Sequence, residues 1–177
     1  MLWDWLQLFV VPLALAVVSV LFAQREKKRE RFLATHQANK DREAAEDRDR
    51  ESALNAYVDQ VSSLLLERGL RSSNAGDEIR DVTRARTLML LQRLDGKRKA
   101  ALLGYLHGSG LIQTPNPVVN LTSANFNQAD FTDAVLPGID LSGIQCQQAN
   151  FTRANFTGAN FVGCVITALV MENTILR

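Results

Sequence analysis

From Val119 onward the chain repeats every five residues. Each fifth position gives Leu121, Phe126, Phe131, Leu136, Leu141, Cys146, Phe151, Phe156, Phe161, Ile166, Met171 and Leu176, twelve units without a slip. Two residues before each of these stands a second, mostly small position: Val119, Ala124, Ala129, Ala134, Ile139, Ile144, Ala149, Ala154, Ala159, Cys164, Leu169 and Thr174. The residue between is usually Asn or Asp, as at Asn125, Asp130, Asn150, Asn155 and Asn160, and the residue after is usually Thr or Ser. A period held over this length marks a repeat architecture, in which a unit buries its apolar side chains by stacking on its neighbours.

The pattern resembles that of the pentapeptide-repeat family, with residues 149–152, 154–157 and 159–161 (Ala-Asn-Phe, twice followed by Thr) the closest matches. The resemblance implies a right-handed quadrilateral β-helix with four pentapeptides per coil and both apolar positions facing inward. Twelve units then make three coils, and strand-like spacing of about 4.8 Å between coils makes the tower only about 15 Å tall. Stacking by twenties puts Cys146 between Phe126 and Ile166, where it underfills the large position. Ile144 stands at the small position beside it, and Ile139 likewise accompanies Leu141, so volume missing at one inward site is restored at the other, as dense packing requires. The irregular Pro137-Gly138 reads as a tolerated variation of the repeat.

The N-terminal region has a different character. Residues 6–24 carry no charge, and residues 25–31 set five basic residues against two acidic ones. About 20 uncharged residues, at 1.5 Å each, span roughly 30 Å of bilayer hydrocarbon, so residues 1–24 are expected to form a transmembrane helix. Basic residues after the apolar run, rather than before it, argue against a cleaved signal peptide. By the positive-inside rule Arg25, Lys27, Lys28, Arg29 and Arg31 determine topology, with the N-terminus outside and everything downstream cytoplasmic. The same cluster can also attract anionic lipid. Trp3 and Trp5 would lie at the outer interface, and Pro12 mid-span, where a membrane helix tolerates it.

Residues 25–52 are dense in charge and contain neither Pro nor Gly, which predicts a solvated helical stalk of up to about 40 Å. Apolar a/d heptads are missing, against a stable coiled coil, and His36 reads as a solvated side chain. Residues 53–112 predict a three-helix module. Leu54, Tyr57, Val58, Val61, Leu64 and Leu65 form one stripe ending near Gly69. Asp77 can cap a second helix with Ile79, Val82, Ala85, Met89 and Leu90 as its stripe, and a third helix after Asp95-Gly96 carries Ala101, Leu102, Tyr105 and Leu106. His107 suits the last turn of that helix electrostatically. Residues 113–118 link the module to the repeat, residues 119–177.

The whole arrangement resembles a group of bacterial, especially cyanobacterial, membrane-anchored pentapeptide-repeat proteins. The matching blocks are Trp3-Asp4-Trp5-Leu6 with Val11-Pro12, Ala56-Tyr57-Val58-Asp59-Gln60, Ala85-Arg86-Thr87-Leu88 and Arg93-Leu94-Asp95-Gly96. The resemblance describes an architecture and implies no particular activity.

No convergent reactive groups, phosphate loop or metal-ligand spacing occur, so neither catalysis, a cofactor nor a metal is expected. Cys146 and Cys164 read as reduced core residues. A DNA-mimicking, topoisomerase-binding role, known for some pentapeptide-repeat proteins, needs a long acidic rod. Here Asp130, Asp133, Asp140 and Glu172 stand against Arg153 and Arg177 on a short tower, and no nucleic-acid partner is expected either. The helical module can cover the N-terminal mouth of the β-helix, whereas the last coil is expected to expose its edge. There the position that elsewhere holds Asn or Asp becomes Val165, Val170 and Ile175, a candidate interface for a partner protein or a second copy. The expected function is an anchored scaffold or accessory subunit of a membrane complex, photosynthetic or respiratory by the cyanobacterial resemblance. The alternative is a self-associating membrane organiser.

Overall fold

The computed structural model describes the backbone of residues 2–176 and the side chains of residues 33–176. The expected membrane span, residues 1–24, and the topology-determining Arg25, Lys27, Lys28, Arg29 and Arg31 lie outside the described side chains. Among the described residues no helix is long and apolar enough to cross a membrane. The chain divides into two compact units, Met1–Asp47 and Arg48–Arg177.

Helix α1 runs unbroken over Leu2–Glu67. The expected boundary at residue 52 between stalk and helical module is therefore no break in the backbone. It is a change in what the helix does: no Gly, Pro or capping signal interrupts the charged stretch, so helical geometry simply continues into the amphipathic part. In the first unit the described side chains, residues 33–47, are exposed, Leu33 included. Gln37 donates to the Asp41 carboxylate at 3.1 Å and Arg42 approaches Glu46 at 4.0 Å, one helical turn apart in each case.

In the second unit α1 acquires a buried face, with Leu54, Tyr57 and Val61 in the core and Val58, Leu64 and Leu65 packed against it. The helix stops where Gly69 takes a left-handed conformation, φ 62°, followed by a short 3-10 turn over Leu70–Ser72. Helix α2 spans Glu78–Arg93 and α3 spans Gly96–Gly108. The N-cap of α3 is Asp95, whose side chain accepts from the Arg98 amide at 3.0 Å. Arg98 returns an ion pair to Asp95 and a second, at 2.8 Å, to Glu51 of α1. Burial alone would raise the Asp95 carboxyl, but these Arg98 contacts prevail and hold it below the usual carboxylate range.

The buried face of α2 only partly follows the expected stripe: Leu90 is buried and Ile79 packs against the core, but the rest of the stripe faces out. Thr83, Thr87, Leu90 and Leu91 are buried, while Val82 and Met89 are 41% and 68% exposed and Ala85 is exposed as well. The reason is polar. Tyr57 enters the core from α1 and donates its hydroxyl to Thr87 Oγ1 at 2.5 Å, Thr87 donates to the Thr83 carbonyl at 2.7 Å, and Thr83 donates to the Ile79 carbonyl at 2.6 Å. A buried phenol needs a partner more than a core needs another methyl group, since leaving it unsatisfied costs about 1–3 kcal/mol. Burial pushes the Tyr57 hydroxyl up to about 12. In α3 the buried residues are Lys99, Leu102, Leu103 and Leu106, with Ala101 exposed.

From Val119 the chain winds into coils of four five-residue units. Parallel bridges pair residues twenty apart: Asn125 with Gln145, Asp130 with Asn150, Val135 with Asn155, Asp140 with Asn160, Gln145 with Val165, Asn150 with Val170 and Asn155 with Ile175. Among the described residues these remain isolated bridges and never lengthen into strands, because a tight turn occupies most of each unit. The turn closes with a hydrogen bond from the small residue to the large residue before it, as from Ala129 to Phe126 and Ala154 to Phe151, each 3.0 Å. Its third residue has positive φ at every step from Ser123 to Asn173, filled by Gly138, Gly143, Gly158 and Gly163 and otherwise by residues with side chains. Both inward positions are buried through the first two coils, apart from the half-buried Ala134, and include Leu121, Phe126, Phe131, Leu141, Cys146, Phe151 and Phe156. Phe131 packs its ring 5.8 Å from Phe126, 5.1 Å from Phe151 and 6.1 Å from Phe156 between centroids. Ile139 and Ile144 are fully buried beside Leu141 and Cys146, which fits the expected exchange of volume between paired sites.

Candidate interaction surface

The two ends of the coil stack are finished differently. At the first coil the helical module supplies hydrogen-bond partners to the backbone edge. Arg84 of α2 donates to the carbonyls of Asn120 and Thr122 at 3.0 and 2.9 Å. Lys99 of α3, a buried side chain, donates to the Asn127 carbonyl at 2.8 Å, and burial lowers its ammonium from the usual lysine value. The Asp130 amide donates to the Gly96 carbonyl at 3.1 Å. That approach is close enough to require glycine: a Cβ on Gly96 would lie 2.3 Å from the Gln128 carbonyl oxygen.

The middle of the repeat is a second docking point. His107 Nε2 lies 2.7 Å from the Pro137 carbonyl, which can only accept, so Nε2 carries the proton. Gln113 forms an antiparallel bridge with Ile139, and the Thr114 amide donates to the Gly138 carbonyl at 2.9 Å. Pro137-Gly138 keeps the five-residue register and serves as the seat for the linker.

Along the stack the Asn or Asp position has a defined task. Its side-chain oxygen accepts from the amide two residues on: Asn125 accepts from Asn127 at 2.9 Å, Asp130 from Thr132 at 3.2 Å, Asn150 from Thr152 at 3.0 Å and Asn155 from Thr157 at 3.0 Å. This local turn satisfies a donor facing outward. The Thr132 hydroxyl and amide hold the Asp130 carboxyl below its usual value. Neighbouring coils are also tied by side chains: Asn160 donates to Asp140 at 3.1 Å, Gln128 to Gln148 at 3.2 Å, and Arg153 grips Asp133 at 2.6 and 2.8 Å.

Val135 and Gln145 are single departures from this rule, and the last coil departs from it in three units, keeping only Asn160. Val165, Val170 and Ile175, the candidate interface, stand at the Asn or Asp position and cannot form the local turn. They are 48%, 48% and 46% exposed. Their backbones are nevertheless paired with the coil below, Val170 donating to Ala149 and accepting from Phe151. The coil is formed and its side chains face out. Sequence reasoning missed the residues that complete this surface: Ile166, Met171 and Leu176 hold the large inward position yet are about half exposed, and Val162 is exposed beside them.

Cys146 is buried and its thiol is pushed up to about 11 by desolvation. Cys164 donates to the Leu141 carbonyl at 2.9 Å and is likewise raised by burial. Both are poor nucleophiles.

No curated protein matches the chain significantly. The pentapeptide-repeat family matches over residues 119–143 and 138–167, with eight copies of the repeat. That family suggests a role in protein interaction. The stacked five-residue coils and this match together identify residues 119–167 as pentapeptide repeats.

Proposed function

We propose that this protein is a membrane-anchored scaffold or accessory subunit, and that the last coil of its β-helix contacts a protein partner in the same membrane. The observation that carries the reading is the replacement of Asn or Asp by Val165, Val170 and Ile175. With Val162, Ile166, Met171 and Leu176 they make the exposed surface of the last coil more apolar than that of the coils before it, where Val135 is the one large exposed apolar residue among the described residues. The uncharged N-terminal run followed by basic residues supports the anchor, with the repeat on the cytoplasmic side. A bilayer tether raises effective concentration toward neighbours in the same plane, so a small apolar contact suffices. The protein contributes binding surface and no catalysis.

Native purification of the full-length protein from membranes in mild detergent, with mass spectrometry of what accompanies it, tests the reading. Recovery of one stoichiometric membrane complex, lost from the Val165→Asp, Val170→Asp, Ile175→Asp triple variant while membrane insertion persists, is the expected result. Recovery of the protein with no companion, or of a complex indifferent to the triple variant, overturns it.

A further inference from the structure

We infer that helix α2 pairs antiparallel with α2 of a second copy, giving a two-fold symmetric dimer through a face separate from the last coil. Glu78, Val82, Ala85, Arg86, Met89 and Arg93 are all exposed, and at 3.6 residues per turn they fall in one sector of about 100° on α2. The core-facing Thr83, Thr87, Leu90 and Leu91 lie outside that sector. It is therefore a second amphipathic stripe on one helix, acidic at the N-terminal end, apolar in the middle and basic at the C-terminal end.

The order of these residues is self-complementary. In an antiparallel pair centred between Ala85 and Arg86, Glu78 faces Arg93 of the partner subunit and Val82 faces Met89 of the partner subunit, each pairing occurring twice by symmetry. Ala85, the smallest residue of the stripe, sits at the axis and permits close approach of the two helices. The antiparallel arrangement also opposes the two helix dipoles favourably and matches Glu78 and Arg93 to them. Among the described residues Glu78, Arg86 and Arg93 make no ion pair within the chain, so their charges are available. Beside the stripe runs a groove of about 530 Å³ between α2 and the end of α1, walled by Gln60, Leu64 and Glu67 on one side and by Glu78, Val82 and Arg86 on the other. A second helix laid along α2 has room to settle toward it.

The test uses full-length protein in mild detergent. Ala85→Cys should form a disulfide-linked dimer on mild oxidation, whereas Gln147→Cys, on the β-helix surface, should not. By concentration-dependent light scattering, Glu78→Arg or Arg93→Glu should each weaken the dimer roughly tenfold, since each change acts at two symmetric contacts. The double variant should recover to within about threefold of the unaltered chain, because each new pair again joins opposite charges. Both swaps oppose the α2 dipole, so recovery cannot come from a better-folded helix. Val82→Asp should abolish the dimer with the helical signal unchanged. The Val165→Asp, Val170→Asp, Ile175→Asp chain should still cross-link through position 85, separating this face from the last coil. Cross-linking of Ala85→Cys no stronger than that of Gln147→Cys overturns the inference, as does a double variant no tighter than either single one. So does loss of a different protein, with no dimer, on Val82→Asp.

Discussion

The first and last coils of the β-helix share one backbone plan and meet their surroundings in opposite ways. At the first coil Arg84, Lys99 and the Gly96 carbonyl are aimed at named backbone groups of the edge. From Phe126 to Phe156 each large inward residue donates its amide to the following coil, Phe126 to Gln145 and Phe151 to Val170. Phe161, Ile166 and Met171 hold that position in the last coil and, among the described residues, make no such bond. The first edge is closed by helices, whereas the last coil carries exposed apolar side chains. The contrast shows that capping here depends on donors and acceptors matched to backbone positions, while burial within the stack depends on period alone.

Four substitutions in the full-length protein, followed by urea unfolding in mild detergent, would break or sharpen this contrast. The largest effect is expected at Phe131, fully buried against three other rings. Phe131→Ala should cost about 3–5 kcal/mol, and a loss below 1 kcal/mol would mean the stack does not depend on its aromatic column. Next, Gly96→Ala drives a Cβ into the Gln128 carbonyl and should cost about 1–3 kcal/mol. A neutral outcome would show that the helical cap is not seated on the first coil. Asp95→Ala removes the N-cap of α3 and should cost about 1 kcal/mol at neutral pH. Because the folded carboxyl titrates below its unfolded value, its contribution is complete above the unfolded pKa and is lost as pH falls through the folded one. The gap between Asp95→Ala and the unaltered chain should therefore close on acidification, and a gap that widens would reverse the assignment. Smallest of all, Val170→Asn restores the repeat pattern in the last coil and should change stability by no more than about 0.5 kcal/mol. Its effect should fall instead on recovery of the partner.

The β-helix was legible in the sequence because its period is its burial pattern: Phe126, Phe131, Phe151 and Phe156 could be read off by counting in fives. The buried face of α1 was legible for the same reason. Helix α2 was not, since it carries two stripes of the same helical period, and Val82, Ala85 and Met89 are the more apolar one. The decision in favour of Thr83 and Thr87 comes from Tyr57, a residue on another helix that brings a hydroxyl needing a partner. Nor were Arg84, Lys99 and Gly96 legible as caps, because their partners are backbone groups that any sequence possesses. Gly138, Gly143, Gly158 and Gly163 recur at multiples of five and occupy the positive-φ step of the turn, a regularity the sequence analysis did not use, although most steps are filled without glycine. At the candidate interface Val165, Val170 and Ile175 were visible as departures from a rule. Ile166, Met171 and Leu176 obey the rule and become exposed only through their place in the stack.

The Asn or Asp side chain that closes its own turn leaves each unit with little freedom. Two of its five side chains face the core and one is occupied locally, so two remain for the outside world. Those two recur directly above one another at the spacing between coils, as Gln128 with Gln148 and Asp133 with Arg153 do. The outer wall is thus a grid whose columns run along the stack and whose cells can be rewritten one at a time without disturbing the interior. A protein that recognises such a wall reads it by columns, and a single substitution alters one character of that text.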